Sequence, residues 1–379
     1  MYKIMTPGPT QVEENIRLAR ARECTNPDLD ETFVEFYKET CEQISRLLHT
    51  GNETLILGGE GILGLEAACA SLTEPGDNVL VLDNGVYGRG FADFVSMYGG
   101  KPEIHTVDDR NPIDSRELEK FLQANHEYKY ATLVHCDTPS GILNDVHVLC
   151  PLLKKYGILT VVDSVSAMFG EALDVDKAEI DILCGGSQKA VSAPPGLTFV
   201  TVSDEAKKAM EERKTPIASF YANLKVFEGC YEAKWFPYTM PISDIYGLRA
   251  AFDNIEKDKD MLARHAKIAH ACRQAVTEAG LKLHLESGYS NTVTVFDVPK
   301  ETTAQEILDV MRKEHNIMLA GSVDSLAGRV IRIGHMGSNA NEKDMTETME
   351  ALEQTLEKLG VPLKCSLKQQ FCRWCERND

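Results

Sequence analysis

Lys189 stands in the run Cys184-Gly185-Gly186-Ser187-Gln188-Lys189-Ala190, about twenty-five residues after Asp163, which closes the apolar run Ile158-Leu159-Thr160-Val161-Val162-Asp163. A primary amine condenses with an aldehyde to a Schiff base, and a carboxylate placed against a ring nitrogen keeps that ring protonated and electron-withdrawing. Taken singly, each residue has a plainer reading. A lysine after Gly-Gly-Ser-Gln reads as a solvated loop residue, because charged side chains are seldom fully buried. An aspartate that ends a buried strand reads as the N-cap of the next helix. The combination changes the balance, because Lys189 is flanked by nearly uncharged segments, Ile182-Leu183-Cys184-Gly185-Gly186 before it and Ala190-Val191-Ser192-Ala193-Pro194-Pro195-Gly196-Leu197 after it. An amine enclosed by such segments has its pKa pulled down.

A third feature supplies an anion site. Gly58-Gly59-Glu60-Gly61-Ile62-Leu63-Gly64 follows a short apolar strand and opens a helix. The free N–H groups and the dipole of a helix N-terminus favour negative charge there. Amine, acid and anion site together are what pyridoxal phosphate requires of a protein. Gly59, Gly61 and Gly64 also satisfy the dinucleotide fingerprint Gly-x-Gly-x-x-Gly. Against that reading, the motif arrives after about fifty residues of helical lead-in, Asp83 is only a partial match for the expected acid, and Lys189 is left without a role.

The elements that must position these residues alternate. Strands are expected at 54–57, 79–82, 130–135, 158–162, 180–184 and 197–202, with helices at 61–72, 88–97, 115–125 and 146–156. This rhythm is that of an α/β fold with a mostly parallel sheet sandwiched by helices. A long helical segment begins near 242–260, after which 281–285, 292–296, 304–315, 330–333 and 342–359 read as a smaller α+β unit. The expected division is an N-terminal arm at 1–15, a large domain at 16–255, a small C-terminal domain at 256–362 and a cysteine-bearing tail at 363–379.

Composition bounds the partners. The 379 residues exceed one ordinary core. A net charge of -18 argues against nucleic acid and anionic membrane. The first ten residues hold no apolar leader, and no stretch reaches eighteen uninterrupted apolar residues, so a cytoplasmic protein acting on small molecules is expected. Eleven cysteines lie scattered without a framework, which in a chain of this size points to reduced thiols. Cys365, Cys372 and Cys375 cluster near the C-terminus, but three cysteines without a nearby histidine fall short of a structural zinc site, and no metal is expected.

From Pro7-Gly8-Pro9-Thr10 to Arg332-Ile333-Gly334-His335-Met336-Gly337, and most specifically in Ser187-Gln188-Lys189 with Ala193-Pro194-Pro195-Gly196-Leu197, the chain resembles the class V aminotransferases of pyridoxal-phosphate fold type I, in particular the alanine/serine-glyoxylate group. The resemblance implies a seven-stranded large domain, ping-pong transamination and a homodimer with its active sites at the subunit interface. It implies that Lys189 holds the cofactor aldehyde and then shuttles the substrate proton, that Asp163 pairs with the ring nitrogen, and that Val165 and Tyr87 cover the two ring faces. Thr138 would lie beside the ring oxygen. Gly61, Ile62 and Gln188 would hold the phosphate, with Thr239 entering from a second subunit in the loop Phe236-Pro237-Tyr238-Thr239-Met240-Pro241. Two departures stand out: Glu60 takes a position often held by serine, where a carboxylate repels phosphate unless it points away, and Phe236 stands where a tyrosine hydroxyl often helps.

Arg332 is the expected substrate anchor, because guanidinium binds a carboxylate through two parallel hydrogen bonds. Arg329 and Arg249 are poorer candidates. The class also contains lyases and cysteine desulfurases, for which Cys136 or the tail cysteines would have to serve as a mobile thiol. 2-Aminoethylphosphonate–pyruvate transamination is a closer alternative, suggested by Thr6-Pro7-Gly8-Pro9 and Asn84-Gly85-Val86-Tyr87-Gly88.

Overall fold

A computed structural model describes residues 2–377. Its centre is a seven-stranded sheet made of β1 (Glu53–Gly58), β2 (Asn78–Asp83), β3 (Lys101–Thr106), β4 (Tyr130–Val134), β5 (Leu159–Asp163), β6 (Ile182–Gly186) and β7 (Leu197–Val202), in the order β1-β7-β6-β5-β4-β2-β3. All neighbours pair in parallel except β7, which runs antiparallel to both β1 and β6. The sheet is therefore mixed, with one reversed strand in a mostly parallel set. Every residue of β4, β6 and β7 is buried, as expected of strands covered by helices on both faces.

Because six strands run the same way, the ends of β1, β5 and β6 lie along one edge with the start of β7; Asp163 closes β5 there, and the loops leaving β1 and β6 carry Glu60 and Lys189. Ligands of open parallel sheets bind at this carboxyl edge. The helix Gly61–Leu72 packs on β6 and β7, which brings its N-terminus to that same edge.

A second apolar cluster gathers Ile268, Phe296, Ile307, Met311, Ile331, Ile333, Met349, Leu352 and Phe371. It surrounds the antiparallel pair Val293–Asp297 and Val330–Gly334. The segment 281–285, expected among the elements of the small unit, forms no regular element: it makes a single bridge, Leu283 to Phe296. The tail is not a loose extension either. Leu367–Glu376 is a helix, capped by the Ser366 hydroxyl on the Gln369 N–H, with Phe371 and Cys375 buried against the helices Met261–Glu278 and Glu342–Lys358. The N-terminal arm crosses to this cluster: Lys3–Ile4 pairs in parallel with Ile317–Met318, and Met5 is fully buried. That crossing carries Pro7 and Gly8 across the carboxyl edge of the large sheet.

Candidate active site

The loop that carries Lys189 is tied to itself. The Ser187 hydroxyl donates to the Pro194 carbonyl at 2.6 Å, and the Ala193 N–H donates to the Ser187 carbonyl at 2.9 Å. The Thr10 N–H and hydroxyl reach in to the carbonyls of Gln188 and Lys189, each at 3.0 Å. Fixed in this way, the Lys189 side chain is enclosed, and its Nζ donates to the Pro7 carbonyl at 2.9 Å. Gly8 packs directly on it. Its φ is +94°, and a Cβ there would lie 2.4–2.6 Å from the last atoms of Lys189, so glycine is required on both counts. Burial, reinforced by the Arg332 charge, brings the Lys189 amine down to about 8.

Asp163 ends β5 and accepts the Val165 N–H at 2.9 Å. Burial pushes its carboxyl up to about 7, against the opposing pull of that N–H and of Lys189. Lys189 and Asp163 line one cavity of about 190 Å³ with Tyr87, Val165, Gly61, Ile62 and Gln188. Eight of the expected site residues (these seven and Thr138) thus converge, since the Thr138 hydroxyl bonds to Ser166, which also lines the cavity.

Arg332 lies on the strand Val330–Gly334. Its Nε donates to the Gly321 carbonyl at 2.5 Å and its Nη1 to the Thr138 carbonyl at 3.2 Å. Both partners are neutral carbonyls, and among the described residues no carboxylate forms an ion pair with it. A substrate carboxylate would supply one. The rival arginines are committed elsewhere: Arg249 pairs with Asp253 at 3.2 Å and Glu39 at 3.7 Å, and Arg329 is exposed, donating to the Ser325 carbonyl. Thr239 is not at the cavity; its hydroxyl donates to Asp28 Oδ2 at 2.8 Å. Phe236 is buried in an aromatic group with Phe33 and Tyr37.

Glu60 does not point away. Its Oε1 accepts the Ile62 N–H at 3.1 Å, capping the helix Gly61–Leu72, and its Oε2 accepts the Gln188 amide at 3.1 Å. The residues fit the ring, the aldehyde and the pyridine nitrogen of a pyridoxal group. At the phosphate end, two of the expected donors already serve a carboxylate. Glu60 stands out in the sequence without its capping role, and Gly8 within a motif without its contact to Lys189, while Ser166 and Asp137 carry no sequence signal. The positions of Pro7-Gly8-Pro9 beside Lys189 depend on a contact across more than 180 residues that no local pattern carries.

The class V aminotransferase family model matches residues 15–322. The chain belongs to the class V aminotransferases, enzymes of fold type I whose cofactor is pyridoxal phosphate. It is 30% identical over 365 residues to an uncharacterized aminotransferase of Methanocaldococcus jannaschii, covering 95% of this chain and 94% of that one. It is also 30% identical to the pyridoxamine–pyruvate transaminase of Mesorhizobium japonicum, covering 95% and 92%. In fold it matches the ureidoglycine–glyoxylate aminotransferase of Bacillus subtilis with a TM-score of 0.95 at 24% identity, over 100% of this chain and 98% of the other.

Proposed function

We propose that this enzyme transfers an amino group from a small primary amine to a 2-oxo acid such as pyruvate or glyoxylate, by a ping-pong route, as a cytosolic homodimer. The observation that carries the reading is the convergence of an enclosed amine with lowered pKa, a buried acid in the same cavity, and a guanidinium left without a carboxylate partner. Bound at Lys189, the pyridoxal group supplies an aldehyde carbon and an electron sink. The chain does the rest. With its pKa near 8, Lys189 Nζ is partly uncharged at neutral pH, so it serves as nucleophile and afterwards carries the substrate's α-proton. Asp163 would pair with the ring nitrogen, Val165 and Tyr87 would cover the ring, and Thr138, bonded to the cavity-lining Ser166, would lie beside its oxygen substituent. Gly61, Ile62 and Gln188 would hold the far end of the cofactor, and in the homodimer Thr239 would join them from the partner subunit. Arg332 takes the substrate carboxylate and so fixes the α-carbon over Nζ.

Alanine and serine are the donors that the class resemblance suggests. Glu60 favours a second reading, in which the donor is pyridoxamine itself. A dianionic phosphate at the N-terminus of Gly61–Leu72 would share its donors with the Glu60 carboxylate, and like charges so close in a partly buried site are costly. A neutral hydroxymethyl group would instead donate to that carboxylate. The reading also fits the activity for which the Mesorhizobium relative, a pyridoxamine–pyruvate transaminase, is named. A desulfurase role is disfavoured, because Cys136 is buried with its thiol pushed up to about 12, and Cys375 is packed in a helix.

Titration with pyridoxal and with pyridoxal phosphate, followed by visible absorption, tests both readings. Lys189→Ala should lose the absorption band and turnover with either compound; a variant that kept them would sink the main proposal. The wild type should bind pyridoxal more tightly than its phosphate, with Glu60→Ser reversing the order. Tighter phosphate binding by the wild type, together with alanine–glyoxylate turnover in the absence of pyridoxamine, would leave alanine or serine as donor.

A further inference from the structure

We infer that Asp137 is a positioning residue that joins the ring clamp to the substrate anchor, holding the start of the Tyr87 helix while its charge tempers Arg332. The inference rests on the assignment of Arg332 as anchor. Asp137 is 1% exposed and forms no ion pair among the described residues. It lies one residue from Thr138, in the short hairpin of Cys136–Asp137 with Ile142–Leu143.

On one side it caps a helix from outside. Val86–Met97 begins at Gly85, which has no side chain to satisfy the free N–H groups of the first turn. Asp137 Oδ1 accepts the Tyr87 N–H at 3.0 Å, and its Oδ2 accepts the Ser140 hydroxyl at 2.9 Å. The approach is so close that a Cβ at Gly85 would lie 2.3–2.7 Å from the carboxylate. Gly85 has an extended backbone, with φ 174°, so it is this contact and not its conformation that calls for glycine. The acid therefore fixes the helix turn that aims Tyr87 at the cavity.

On the other side, the Thr138 carbonyl takes Arg332 Nη1 at 3.2 Å. Asp137 is the acid next to Thr138 on that loop: burial raises its carboxyl, against the pull of the N–H and hydroxyl donors and of Arg332, and burial lowers Arg332, against the pull of Tyr87 and Asp137. A guanidinium with a buried anion nearby binds a substrate carboxylate less tightly than a bare one would. For a ping-pong enzyme that must release one acid before accepting another, such tempering speeds exchange.

Two substitutions separate these roles. Asp137→Asn keeps an oxygen for the Tyr87 N–H and removes the charge; the KM for the 2-oxo acid should fall on the order of tenfold while kcat does not rise. Asp137→Ala also removes the cap, so the protein should release bound pyridoxal faster on dialysis, seen as decay of its visible band, whereas Asp137→Asn should retain it. If both variants lose thermal stability but keep the wild-type KM and retention, Asp137 is merely structural and the inference falls. Should Asp137→Ala fail to fold, the KM of Asp137→Asn decides alone. Arg332→Gln distinguishes the two levels: an unchanged KM there sinks the anchor assignment itself, while a raised KM there with an unchanged KM in Asp137→Asn sinks the tempering alone.

Discussion

Asp163 is kept at a cost that should be measurable as a pH dependence of stability. Its folded-state carboxyl stands near 7, above the ordinary aspartate range, with burial the main cause. A group whose pKa is raised by folding contributes stability that is fully present below its unfolded value, near 4, and that is lost as pH climbs through 7. In protein freed of pyridoxal, Asp163→Asn should therefore match the wild type near pH 4 and exceed it by on the order of 4 kcal/mol above pH 7. Denaturant melts at the two pH values give the comparison, and equal gaps at both would show that burial does not disfavour the charge. Adding pyridoxal should narrow the gap at high pH, because the protonated ring nitrogen restores a partner to the aspartate that asparagine cannot match. Asp163 illustrates how far single residues were readable. Its place at the end of an apolar run and its distance from Lys189 were visible in the chain, whereas the enclosure that shifts its pKa comes from residues contributed by four separate segments.

Elements were legible where their patterns are local. The helix Gly61–Leu72 and strand β7 fall where the apolar spacing places them, and other boundaries shift by a residue or two, as with Ile182–Gly186 for 180–184. Strand β3 was invisible. Lys101-Pro102-Glu103-Ile104-His105-Thr106 lies at the sheet's edge, largely exposed and with one aliphatic residue, and is held by backbone pairing to β2. An edge strand of this kind tolerates charge and proline, so no hydrophobic signal marks it. The C-terminal helix was hidden for a different reason, since its buried face becomes apparent only once its partners Met261–Glu278 and Glu342–Lys358 are known. Phe371 is fully buried in that interface. Phe371→Ala should lower unfolding stability by about 3–5 kcal/mol, the usual cost of a large aromatic cavity. The visible band of bound pyridoxal should persist at low denaturant. A loss below 1 kcal/mol would mean that the helix is an appendage and not part of the small core.

At the scale of the whole molecule, the proposed homodimer needs an association surface, and exposed apolar side chains offer one. Phe220, Tyr221 and Trp235 are 58%, 55% and 59% exposed, and Ile62 beside the cavity is 40% exposed. Phe220 and Tyr221 pack on Tyr238, which precedes Thr239, and the Tyr238 hydroxyl is buried with no hydrogen-bond partner among the described residues. Exposed aromatics of this kind mark association surfaces. In the proposed homodimer a second copy would bury them, with its Thr239 expected near Gly61 and Gln188, as the family resemblance implies. Each copy carries a net charge of -18, so association works against repulsion and should strengthen with salt over the range in which screening grows. Trp235→Glu adds a further charge to this surface. By sedimentation it should weaken self-association by more than tenfold, and the resulting monomer should lose its visible pyridoxal band on dilution even though Lys189, Asp163 and Gln188 are all intact. If the monomer held the band as firmly as the wild type, the cavity would be complete within one chain and Thr239 would have no part in it.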